Sequence, residues 1–210
     1  MRILKQQLSR IVQRTALRYI ERVDASPLPL DDVIVLPANR AAAFTPAAEQ
    51  GALMALSHCL AREPDRAVQQ LLESAARLTE SPSAGLSLED ASDGEVVLRW
   101  VAMHGSLSPH LNGTMPRHFS PCGTAIERRS PLVMSEPARH FPYISGLTPP
   151  IRAVLLVPFA RAGKYVGTVW AVKHAAPASF SREDQRAVAA LTTFASAILD
   201  AQELQARRAH

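Results

Sequence analysis

Long apolar runs are missing from this chain of 210 residues. No stretch approaches the roughly eighteen consecutive apolar residues of a membrane-spanning helix, so none is expected. Aromatic residues are scarce at 5%, while alanine is abundant, which points to a core built from aliphatic side chains. Cysteine is nearly absent. Cys59 and Cys122 lie far apart and match no disulfide framework and no zinc-ligand spacing. The basic N-terminus lacks the uninterrupted apolar stretch of a secretory signal. The expected location is therefore the reducing cytoplasm, with both thiols free. Catalytic signatures are missing too. There is no Gly-x-Ser-x-Gly elbow, no glycine-rich phosphate loop and no Gly-x-Gly-x-x-Gly fingerprint. The expectation is a binding protein rather than an enzyme.

What is present suffices for a sizeable core. Hydrophobic residues make up 47% of the chain, and the net charge of +4 is modest. That charge is unevenly placed. Arg2, Lys5, Arg10, Arg14, Arg18 and Arg22 are opposed only by Glu21 in the first 23 residues. Over Arg2–Val23 the residues Leu4, Leu8, Ile11, Thr15 and Tyr19 recur at helical spacing, which predicts an amphipathic helix with a separate basic stripe. Such a stripe suits anionic lipid or nucleic acid, but it is more commonly a solvated helix face. Pro27 and Pro29 leave no room for the second helix of a helix-turn-helix, so nucleic acid is not an expected partner.

Pro27, Pro29, Pro37 and Pro46 mark a linker with one short apolar segment, Val33–Leu36. Thr45-Pro46 starts a second helix reaching about Ala61. From Pro64 the pattern is continuous. Val68, Leu71, Leu72, Ala75 and Leu78 predict a helix. Ala84–Glu89 and Glu95–His104 predict strands joined at Asp93-Gly94, whose residues supply the positive φ angles of a tight hairpin. A loop over Gly105–Ser120 leads to a short helix at Cys122–Arg129 and a short strand at Leu132–Ser135. Ile151–Phe159 and Lys164–Lys173 are nearly unbroken apolar runs, the mark of central strands covered on both faces. Ser181 with Asp184 forms a capping-box pattern opening a long helix with the buried stripe Val188, Leu191, Ala195 and Ile198. The expected architecture is α+β: an antiparallel sheet with the first and last domain helices on one face. Loops and short helices from Gly105 to Pro150 cover the other. Residues 1–63 form a helical extension with a Pro-rich linker, 64–203 the domain and 204–210 a tail.

These residues resemble the GAF domains of bacterial signalling proteins. Ala153-Val154-Leu155-Leu156-Val157-Pro158-Phe159, a polar turn, then Val166-Gly167-Thr168-Val169-Trp170-Ala171-Val172 is similar to that family's central hairpin. Ala102-Met103-His104-Gly105 and Phe180-Ser181-Arg182-Glu183-Asp184 resemble its second strand and the start of its last helix. Phe119-Ser120-Pro121-Cys122-Gly123-Thr124, with His140-Phe141-Pro142-Tyr143 downstream, is similar to a Ser-Pro-Cys-Gly signature in GAF domains of sensor histidine kinases and related proteins. The resemblance implies a stand-alone sensory protein, probing a small molecule between sheet and loops and signalling through its flanking helices as a homodimer. A histidine kinase or another signalling protein is the implied recipient, and the identity of the ligand and of any cofactor is left open. Relative to cyclic-nucleotide-binding members, Lys173, Phe180 and Asp184 match while an Asn and a Glu do not. A Lys173–Asp184 pair is then expected to tie strand to helix. Bilin-binding members carry Cys-His where this chain has Cys122-Gly123, and methionine-sulfoxide-reducing members need several cysteines in the domain.

The candidate ligand-binding residues are Phe119, Cys122, Thr124, His140, Phe141, Tyr143 and Trp170. Trp170, with Phe119, Phe141 and Tyr143, is expected to floor a pocket; plain core packing is the alternative. Cys122 is expected in the first turn of a helix, where free N–H groups favour thiolate and His118 is placed to take its proton. Its readings are a redox or ligand-contacting thiol, or a small side chain fitting a tight helix start. His104, His118, His140 and His174 form no paired metal motif. Thiol redox chemistry at Cys122 and a ligand-free dimerisation scaffold stand as alternatives to the sensor.

Overall fold

The computed structural model describes residues 33–34, 47–91 and 94–208. The expected helix over Arg2–Val23, most of the linker and Asp93 lie outside these residues. Among the described residues seven strands form one antiparallel sheet: β1 (Val33–Ile34), β2 (Ser83–Asp90), β3 (Val97–Gly105), β4 (Thr114–Pro116), β5 (Leu132–Ser135), β6 (Ala153–Arg161) and β7 (Lys164–Lys173). Their spatial order is β1-β5-β6-β7-β2-β3-β4, which puts β7 in the middle.

The period of two along β6 and β7 sorts their side chains onto two cores. Val154 and Leu156 face the front with their register partners Val172 and Trp170. Leu155, Val157 and Val169 face the back. All are buried. Burying one such side chain contributes roughly 1.5–3 kcal/mol, and this ribbon does so on both sides.

The back is covered by helices α1 (Ala47–Arg62), α2 (Pro64–Leu78), α4 (Arg182–Thr192) and α5 (Ala195–Arg208). Pro64 starts α2 without disrupting it because the first helical N–H has no intrahelical partner. The sequence left open whether the segment before Pro64 docks. In α1, Ala52 and Leu56 are fully covered, and Glu49 accepts two hydrogen bonds from Arg186 of α4 at 3.1 and 3.2 Å. β1 pairs with β5 at the sheet edge. The packed body therefore extends upstream of Pro64.

Three expectations need correction. The last helix is not continuous. The hydroxyls of Thr192 and Thr193 bond back to the carbonyls of Val188 and Ala190, and the helix breaks there before restarting as α5. The stripe Val188, Leu191, Ala195 and Ile198 stays buried across the break. The loop over Gly105–Ser120 contains β4, paired with β3. No Lys173–Asp184 ion pair forms among the described residues. Lys173 Nζ lies 5.0 Å over the Phe180 ring, while Asp184 caps α4 by accepting from the Ser181 N–H at 2.8 Å.

Residues 106–150, here called the cover, leave β3, cross the front and return at β6. They supply β4, β5, α3 (Pro121–Arg128) and three short 3-10 turns. Removing the reciprocal cap with Ser181→Ala is expected to cost about 1 kcal/mol, measured as a lower urea midpoint; an unchanged midpoint would show that the cap contributes nothing.

Candidate functional site

The front of the sheet is shaped by glycines under indole rings. Gly85 of β2 lies opposite Trp170 of β7, and a Cβ at Gly85 would overlap the indole. Trp170 thus lies flat along the sheet, and its Nε1–H donates to Ser87 Oγ at 2.9 Å. Trp100 lies against Gly113 in the same way and meets Trp170 edge-on at 6.4 Å between centroids. A β-bulge decides which side chains reach this face. Leu86 opposes Ala102 while Ser87 opposes Trp100, so Val101 is the extra residue. The bulge brings both Trp100 and Met103 to the front, which strict alternation forbids.

The Ser-Pro-Cys-Gly run has a physical reason at each position. Ser120 is the N-cap, accepting from the Gly123 N–H at 3.0 Å, and Pro121 takes the first helical place. Gly123 is required because a Cβ there would collide with the Arg117 carbonyl. Cys122, 3% exposed, points onto the sheet with Sγ 3.6 Å from Ser87 Oγ. Burial pushes its thiol up, against weaker opposing contacts from Thr168 and Ser87. Desolvation opposes the helix-start effect that would favour a thiolate. His118 is not its base: it is exposed and its Nδ1 sits 3.1 Å from Glu127 Oε1.

The expected hollow is nearly filled. Between sheet and cover there remains a cavity of about 30 Å³, lined by Trp100, Leu107, Met115, Cys122, Ile144, Leu147, Trp170 and other apolar side chains. That holds about two or three waters by volume, since each needs roughly 10–15 Å³. Small-molecule pockets usually measure roughly 300–1,000 Å³.

Of the seven candidates, Cys122 and Trp170 line this cavity; the other five do not. Phe119, Phe141 and Tyr143 gather into their own ring cluster, with Phe119–Phe141 at 5.2 Å and Phe119–Tyr143 at 6.0 Å. Tyr143 Oη donates to the Phe119 carbonyl at 3.0 Å, and burial, helped by the nearby Cys122, holds its phenol well above the usual range. Thr124 Oγ1 donates to the Ser120 carbonyl at 2.9 Å, and His140 is half-buried at a 3-10 turn. Leu107, Ile144 and Leu147 were missed because loop residues carry no periodicity that tells which way they face. Among the described residues, no three His, Cys, Asp or Glu side chains cluster as metal ligands.

A second set of groups joins cover to sheet at the hairpin end. Arg117 of the cover binds Glu89 of β2 at 2.6 Å and Glu127 of α3 at 3.4 Å, and Lys164 of β7 binds the same Glu89 from within the sheet at 3.1 Å. Burial raises the Glu89 carboxyl, but Arg117 and Lys164 outweigh it and hold it below the usual range.

Gly85→Ala is expected to drive Trp170 off the sheet at a cost of roughly 1–3 kcal/mol, with a red-shifted tryptophan emission; an unshifted spectrum with wild-type stability would contradict the packing described. On a Cys59→Ser background, native Cys122 is expected to resist iodoacetamide and to react freely in urea. The folded state holds the Cys122 and Tyr143 protons more tightly than the unfolded chain. Their contribution to stability is complete below about pH 8.5 and is lost as pH rises through the folded values. Urea midpoints measured up to about pH 10.5 are expected to fall accordingly.

No curated protein matches the chain. Among solved structures, a free methionine-R-sulfoxide reductase from Neisseria meningitidis, in complex with its substrate, is 21% identical with a TM-score of 0.58. That alignment covers 80% of this chain and 98% of the other. The GAF domain of a phosphoenolpyruvate-protein phosphotransferase from Coxiella burnetii is 16% identical at a TM-score of 0.61, covering 79% and 100%. The GAF domain of a two-component sensor histidine kinase from Bacillus halodurans is 17% identical at 0.54, covering 68% and 97%. At these identities the likeness is one of fold. The sequence profile of the GAF domain matches residues 61–200, from the last turn of α1 into α5. With that match over well over half its length, this chain belongs to the GAF domain family.

Proposed function

We propose that this chain is a regulatory GAF module that senses a small molecule between its sheet and its cover. It passes the result to a signalling protein, such as a histidine kinase, through the helices on the back. The supporting observation is the two-sided burial of β6 and β7. Leu156 and Trp170 touch the front cavity, while Leu155, Val157 and Val169 on the same strands pack against the helices. A ligand that shifts these strands from the front necessarily changes the surface on which the helices rest. Output then leaves by α1 and α5, in a homodimer. No helix among the described residues is long and apolar enough to cross a membrane.

Catalysis is not part of this reading. A buried thiol with a raised pKa is a poor nucleophile, and the chain's other thiol, Cys59, packs against the back core while Cys122 lies in the front one. A ligand-free dimerisation scaffold is the second reading, and the cavity of about 30 Å³ is the observation that favours it.

A thermal-shift panel of chemically diverse metabolites separates the two, because a ligand that binds the native state stabilises it by mass action. The sensor reading expects at least one compound to raise Tm with saturation. A flat panel, with tryptophan emission unmoved throughout, would leave the scaffold standing.

A further inference from the structure

The cavity is too small for a metabolite unless the cover moves, so the contacts that hold the cover down decide what gets in. Both ends of the cover are fastened at one place. At its start, the Leu107 N–H donates to Ser83 Oγ at 3.1 Å. At its end, the Pro150 carbonyl lies 2.9 Å from His174 Nδ1. His174 Nε2 is 2.8 Å from the same Ser83 Oγ and closes the chain.

Donor and acceptor roles follow from the partners. A carbonyl oxygen only accepts, so His174 Nδ1 carries the hydrogen. The neutral ring then presents a lone pair at Nε2, which takes the Ser83 O–H while Ser83 Oγ accepts from Leu107. Every group in the relay is satisfied, and Ser83 is fully buried. Beside it His110 Nε2 meets the Thr148 carbonyl at 3.1 Å and its ring stands edge-on to Trp100 at 6.4 Å.

This latch lies at one end of the cavity. Leu107 belongs to both, and Ile151 and Val172 of the lining are within two residues of a latch group. The chain also has a pivot there. Gly105 holds φ +81°, and a Cβ on it would strike the Pro82 carbonyl, so the cover departs from β3 in a conformation that only glycine adopts without strain. The ion pair of Arg117 with Glu89 fastens the opposite end.

The lining sets the chemistry of the occupant. Cys122 is its single titratable side chain, with the proton held by burial, and no lining residue carries a charge. A phosphate, carboxylate or ammonium placed there would lose its hydration with nothing in return.

We propose that the front cavity is a gated site for one uncharged, apolar molecule, and that the Ser83–His174 relay is the gate. The apolar-ligand half rests on the sensor reading above; the gate does not.

The chain's two tryptophans both line the cavity, so their fluorescence reports opening without any ligand. Acrylamide quenching of wild type is expected to be weak, and to rise severalfold in Ser83→Ala and in His174→Ala. Arg161→Ala, remote from the latch, is expected to leave it unchanged. Unchanged quenching in either folded latch variant overturns the gate. Should both variants fail to melt cooperatively, exchange of the Leu107 amide in wild type decides: faster exchange than the β6 and β7 amides supports the gate, and equal exchange overturns it. Indole is the ligand probe, with AMP as its charged counterpart. Saturable indole binding, faster in the latch variants, with none for AMP, is the expected result. AMP binding in the cavity overturns the apolar assignment while keeping the sensor. Tryptophan exposure without indole binding overturns the assignment and leaves the gate.

Discussion

Two-sided burial of the β6–β7 ribbon is the constraint from which the rest follows. A strand with apolar side chains on both faces is stable only when two separate layers cover it. The helices satisfy one face with ordinary amphipathic stripes. The other face has to be covered by a stretch with little regular structure of its own, and such a stretch must find partners for its own backbone groups. It does so through the Ser120 cap, the Tyr143–Phe119 bond and the relay through Ser83 and His174. Polar fastening around an apolar interior makes the cover a separable layer rather than an extension of the core.

The same constraint gives the front its character. Trp170 lies flat because Gly85 leaves room, and Ser87 satisfies the indole N–H that would otherwise be buried without a partner. Ser87 also meets Cys122, so one small hydroxyl fixes a sheet tryptophan and a cover cysteine together. Desolvation by the same packing pushes that thiol's pKa up and favours its protonated form. Aromatic scarcity in the chain as a whole is offset by concentration here, where five rings lie on or beside one sheet face.

Much of the fold was legible in the residues. The apolar runs at Ala153–Arg161 and Lys164–Lys173, the Ser181–Asp184 cap and the stripe through Ile198 all carry strong local signals. The parts not legible depend on contacts between distant residues. Val101 reads as one more strand residue, and only its pairing with β2 reveals the bulge that turns Met103 forward. The break at Thr193 depends on back-bonding hydroxyls, which helical periodicity does not register. For the site, the aromatic residues drew attention through their chemistry, and three of them proved to support each other rather than line the cavity. His174 carried no motif, and its part is visible only once Ser83 and Pro150 come together.

The central claim is that the cover is an independently opening layer over a rigid ribbon. Native-state hydrogen exchange resolved by residue measures this directly. The account predicts that amides of residues 106–150 outside the sheet strands β4 and β5 exchange through a sub-global opening, at distinctly lower protection than those of β6 and β7. A single common protection level, with cover and ribbon opening only when the whole domain unfolds, would contradict it.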